Sequence, residues 1–276
     1  MAIKLASLKR VTAHKPPRIL IYGPAGIGKT SLAAEFPDAA FVRVEDGIPA
    51  SAEVFAFPVA GSFNTVIEQL GELYEAEDSG VRTVVIDSVT ELQKLIFAET
   101  CARGDDSGNP KANIEDFGFG KGYVRAKAVM AEFLDAINML RNDRGITVIL
   151  IAHSVVSPYS DPETEAYDQF SIDLHKQLVG IVEREMDAIL FMRSPVQAAK
   201  ASEGAPKGGR VIGKGGRVRK TYTEGTPAFV AKNRYGLPTE FRYDLGKGYS
   251  QLAPFLPTHN KTETEAAGSP AELEAA

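Results

Sequence analysis

The chain is nearly free of cysteine, with a single one, Cys101, in 276 residues. One thiol forms neither a disulfide framework nor a cysteine metal site. Nothing beside it in the sequence would lower its pKa and make it a nucleophile, so a small buried thiol is expected. Long apolar runs are missing as well. No stretch approaches the ~20 apolar residues of a membrane span, and residues 1–10 carry no apolar leader core. A soluble, cytoplasmic protein without membrane contact is the expectation. Nor is there an excess of positive charge. The formal net charge is −5, so any nucleic-acid contact must come from a local patch and not from the overall field.

What the sequence does hold begins with Ile-Leu-Ile-Tyr-Gly-Pro-Ala-Gly-Ile-Gly-Lys-Thr at residues 19–30. An apolar strand runs into G-x-x-x-x-G-K-T, the pattern of a P-loop. Its glycines let successive backbone N–H groups point inward at phosphate oxygens. Lys29 is placed to reach the β- and γ-phosphates, and the Thr30 hydroxyl to hold Mg²⁺. The following helix former, residues 31–36, adds the positive end of its dipole. The expected nucleotide-binding residues are Gly23, Pro24, Ala25, Gly26, Ile27, Gly28, Lys29, Thr30 and Ser31, with ATP and Mg²⁺ as cofactors and Thr30 and Asp87 as metal ligands.

Apolar, β-rich runs recur at residues 19–22, 41–44, 84–87, 148–152 and 188–192. Helical patterns separate them at 63–75, 89–102, 124–141 and 174–185. This alternation predicts an α/β fold with a mostly parallel sheet covered by helices on both faces. Right-handed crossovers bring the loops after the strands to one edge, where ligands bind. Residues 198–227 are rich in Gly, Lys, Arg and Thr and predict β-hairpins extending the sheet, with a mobile loop over 204–216. The chain then divides into a loose arm (1–16), one core (17–256) and a disordered tail (257–276).

Four further features carry chemistry. Asp87 closes the strand Thr-Val-Val-Ile-Asp, where a carboxylate can hold metal-bound water or Thr30, while Ser88-x-x-Glu91 reads as a capping box. Glu45 follows the second strand and is placed to activate water, with Asp46 as its competitor. His153 ends the strand Val-Ile-Leu-Ile-Ala-His, ahead of a long polar stretch, 155–171, expected to be a loop. Lys232 and Arg234, two apart, can reach a neighbour's γ-phosphate in an oligomer. Two segments suit nucleic acid. Phe117 and Phe119 lie on the Gly-rich stretch 105–122 and can stack on bases. Lys207, Arg210, Lys214, Arg217, Arg219 and Lys220 form a run without an acidic residue.

These pieces, in this order, resemble the RecA-like ATPase core over roughly residues 17–245. Residues 23–30 look like its Walker A and 84–88 like its Walker B. Glu45 matches the glutamate that strand-exchange recombinases carry after their second strand, and His153 stands where a polar switch residue, usually glutamine, is found. Residues 105–122 and 155–171 fall where that family has two DNA-binding loops. Lys232-Asn-Arg234 is similar to the element by which RecA and replicative helicases touch ATP across a subunit interface. In size and in His153-Ser154 the chain looks like the compact phage-encoded, Sak-type annealing proteins. The resemblance implies an ATPase that binds single-stranded DNA and promotes annealing or recombination. It implies a homo-oligomer with ATP between subunits, and a single-strand DNA-binding protein as a possible partner. The competing readings are an ATP-switched loader acting on proteins and a small-molecule kinase. Against the kinase stand Lys232-Asn-Arg234 and the lack of a lid-like arginine cluster.

Overall fold

Alternate residues of the central strands face opposite sides of one sheet, and both sides are buried. Along β1 (Arg18–Gly23), Ile19 and Ile21 enter one apolar cluster while Leu20 and Tyr22 enter the other. β4 (Thr83–Asp87) divides in the same way, Val85 to one side and Val84 and Ile86 to the other. That two-sided burial is the physical reason for near-continuous apolar runs in a parallel sheet. Each fully buried Leu or Ile here contributes roughly 1.5–3 kcal/mol. The computed structural model describes residues 15–48, 53–76, 79–199, 212–215 and 218–257. Most of the expected arm and tail therefore lies outside the described residues, as do Lys207, Arg210 and Arg217.

The strand order confirms the largely parallel α/β arrangement. β7 (Ala188–Arg193), β1, β5 (Thr147–Tyr159), β4, β2 (Ala39–Arg43) and the short β3 (Phe55–Ala56) run parallel. Helices α2 (Phe63–Glu75), α3 (Val89–Arg103), α4 (Lys121–Asp143) and α5 (Lys176–Glu185) pack on one face. α1 (Lys29–Ala34) and α6 (Gly248–Leu252) pack on the other. Beyond β7 the sheet continues antiparallel through β10 (Arg219–Tyr222) and β12 (Glu240–Tyr243), the expected C-terminal extension. β11 (Lys232–Asn233) also pairs with β7. No helix among the described residues is long and apolar enough to cross a membrane.

Several expectations need correction. Residues 155–171 are not a structureless loop: β5 continues past the sheet to Tyr159 and pairs antiparallel with β6 (Tyr167–Ile172) as a hairpin. Pro158, which reads as loop punctuation, sits opposite Asp168 in a two-stranded ribbon, where an unpaired edge tolerates it. Part of the stretch 204–216 is also ordered. β8 (Val196–Ala199) and β9 (Ile212–Gly215) form a separate ribbon, and the rest of that stretch lies outside the described residues. α4 starts three residues before the expected 124, after Gly120 adopts a φ of 69°. Ser88 caps α3 by accepting the Glu91 N–H, but the Glu91 carboxylate goes to Lys94, so only half of the expected capping box forms.

Candidate active site

β1 leads into the P-loop between β7 and β5, and glycine is what lets it pass. A Cβ on Gly23 would lie 2.2 Å from the Met192 carbonyl oxygen. Gly28 holds a φ of +109°, and a Cβ there would meet the Tyr243 ring at 2.9 Å and the Arg219 guanidinium at 3.1 Å. The next residue, Lys29, is buried and donates to the carbonyls of Gly23 (2.9 Å) and Pro24 (3.0 Å). Burial lowers its pKa, opposed by Asp87 and Glu45.

The metal side of the loop is built by β4 and β2. Thr30 Oγ1 donates to Asp87 Oδ2 at 2.8 Å. Burial raises the Asp87 pKa, and the Thr30 hydrogen bond opposes that rise. The Asp87–Ser88 peptide is cis. Glu45 is held beside Asp87 because the N–H groups of Val44 and Glu45 both reach the Asp87 carbonyl. Its carboxylate lies 3.4 Å from His153 Nε2. Asp46 instead reaches Arg43 and is almost fully exposed, so of the two competing carboxylates only Glu45 faces the cavity. His153 stands opposite Gly23 where β5 leaves the parallel sheet, and its N–H is held by the buried Thr90 hydroxyl at 2.9 Å.

Lys29, Thr30, Glu45, Asp87 and His153 thus line one open cavity of about 350 Å³, with Ala25, Gly26, Gly28 and Ser31 of the loop. Among the described residues no cluster of three His, Cys, Asp or Glu side chains could hold a metal alone. A divalent ion here would need nucleotide oxygens beside Thr30 and Asp87. That oxygen-only set suits Mg²⁺, which is usually bound by one or two protein groups plus phosphates. Three lining residues escaped sequence reasoning as nucleotide contacts: Gly47, two residues past Glu45, Arg219 of β10 and Leu245, just past β12.

Residues 15–235 match the family described as AAA domain. The chain belongs to that AAA domain family. Membership implies nucleotide binding and suggests ATP hydrolysis, in keeping with the cavity just described. Among solved structures the chain is similar to the crystal structure of the RadB recombinase, with 17% identity and a TM-score of 0.41. That likeness covers 76% of this chain and 81% of the other. No curated protein matches it.

Other expected site residues of this AAA domain lie away from the cavity. Lys232 and Arg234 are near the start of β7, at the end of the sheet opposite the P-loop. Lys232 Nζ donates to the Glu183 and Arg184 carbonyls at the C-terminus of α5, a helix-capping position. Arg234 pairs with Asp187 at 3.1 Å, yet half of its side chain is exposed. Burial works against the Asp187 carboxylate, but Arg18 and then Arg141 outweigh it and hold its pKa low. Neither cation can serve its own cavity. Phe117 is partly covered, with the Arg125 guanidinium over its ring, whereas Phe119 is fully exposed. Lys220 pairs with Glu240 on the opposite face of β10 from Arg219. Cys101 is buried, and burial raises its pKa, as expected of an inert thiol.

Proposed function

We propose that this chain is a Mg²⁺-dependent ATPase that acts on single-stranded DNA, in annealing or recombination of the phage-encoded kind its sequence resembles. The convergence of Lys29, Thr30, Asp87, Glu45 and His153 on one cavity carries the reading. Lys29 would bind the β- and γ-phosphates, and Thr30 with Asp87 would hold Mg²⁺, which would neutralise charge on those phosphates. Glu45 would orient the attacking water and take its proton. His153, 3.4 Å from Glu45 and one residue before the hairpin pairing begins, would pass the state of the site to β5 and β6. Lys232 and Arg234 would complete a neighbouring molecule's site.

DNA contact is assigned to Phe119 and to the basic run ending at Lys220, and not to the hairpin. Residues 155–171 hold Asp161, Glu163, Glu165 and Asp168 and no Lys or Arg, a charge that repels phosphates. The same observation favours a second reading, an ATP-switched loader whose hairpin meets a protein. Val155, Val156 and Tyr159 are exposed along it. Steady-state ATP hydrolysis with and without single-stranded DNA separates the two. Stimulation that weakens steeply with salt, and turnover per chain that rises with protein concentration, are expected. A rate indifferent to DNA would exclude the first reading, and a concentration-independent rate would remove Lys232 and Arg234 from the site.

A further inference from the structure

The cavity is asymmetric across the sheet. Asp87, Glu45 and His153 come from strands on one side of β1, namely β4, β2 and β5. Arg219 and Leu245 come from the other side, from β10 and the turn after β12. A nucleotide whose metal-bound end lies among the first group must extend its nucleoside end toward the second. Strand alternation explains why Arg219 reaches the loop. It stands opposite Tyr243, and Thr221 opposite Phe241, so all four share the face on which α1 packs. Lys220 and Tyr222 take the other face.

Charge points the same way. Apart from Arg219, Lys29 is the one Lys or Arg among the described lining residues, set against the carboxylates of Glu45 and Asp87. Arg219 restores the balance. It makes no ion pair among the described residues, unlike Lys220 and Arg242 on the same pair of strands, and its guanidinium lies beside Gly28, 3.1 Å from where a Cβ would stand.

We propose that Arg219 binds the α- and β-phosphates of the nucleotide held by its own chain, with Leu245 as an apolar wall toward the base. A guanidinium suits this place because its planar fork can hold two phosphate oxygens at once. The inference rests on the reading of the cavity as an ATP site. It removes Arg219 from the set of residues assigned to DNA.

The test is equilibrium binding of fluorescent (N-methylanthraniloyl) ADP to the full chain, for wild type, Arg219→Ala, Arg219→Lys and Arg242→Ala. Arg219→Ala should weaken binding about tenfold to hundredfold, as for loss of a hydrogen-bonded charge. Arg219→Lys should recover part of this, and Arg242→Ala should bind like wild type. Unchanged ADP affinity in Arg219→Ala would overturn the proposal, whether or not turnover fell. A wild-type chain that binds no ADP would instead remove the ATP-site reading, and this inference with it. Matching circular dichroism of the variants keeps a folding defect from mimicking the expected loss.

Discussion

At the level of single residues, the site separates groups that look interchangeable in the sequence. Glu45 and Asp46 are adjacent carboxylates after the same strand, and only the fold shows that Arg43 takes Asp46 outward while Glu45 meets His153 at 3.4 Å. Glu45→Gln keeps the shape and loses the base. It should bind ATP with near wild-type affinity and hydrolyse it about 10²-fold or more slowly, within the range for a lost general base. Single-turnover hydrolysis checks this, and a wild-type rate would move the base elsewhere. Lys29, Thr30 and Asp87 were legible because a P-loop and an acid-ended strand carry their chemistry in local order. Arg219 was not. It sits in a run of like charges, and only the pairing of β10 with β12 shows which of them turns toward the loop.

At the level of elements, apolar runs and alternation were enough to place the parallel strands and their helices. The hairpin of β5 and β6 was hidden by Pro158 and by acidic residues that also suit a loop. Tertiary partners decide another junction that no local pattern announces. Glu35, just after α1, accepts the Tyr243 hydroxyl (2.9 Å) and the N–H groups of Gly246 (2.8 Å), Gly248 (2.6 Å) and Tyr249 (3.0 Å). One carboxylate thereby binds the P-loop helix to the turn after β12 and to α6. The Tyr243 hydroxyl has its pKa raised by burial and by Glu35, so it stays a donor. Glu35→Ala leaves these donors without their acceptor, and solvent can replace part of it because the side chain is only partly buried. A destabilisation of about 1–3 kcal/mol is expected, read as a lower urea midpoint with an unchanged slope. An unchanged midpoint would show that α6 is held by packing alone.

Across the whole molecule, the chemistry divides between the two ends of one sheet. The nucleotide cavity occupies the end where parallel strands finish, as open α/β sheets favour. Arg18, Arg141 and Arg234 gather on Asp187 at the other. Lys232 and Arg234 cannot act on their own chain's cavity from there, which is why any role for them in hydrolysis requires a second molecule. The sequence order of motifs foretold a P-loop ATPase core and its sheet. It did not foretell that the stretch most like a DNA loop by position would be an acidic hairpin, because the resemblance there is one of place and not of residues.

Every role assigned to the site depends on the cavity around Lys29 binding and hydrolysing ATP. Its most direct test is steady-state ATP hydrolysis by the full chain with Mg²⁺ present, wild type beside Lys29→Ala. Turnover in the wild type and none above background in a folded Lys29→Ala is the predicted result. Equal turnover in both would contradict it, since the ammonium that a P-loop brings to the β- and γ-phosphates would be gone.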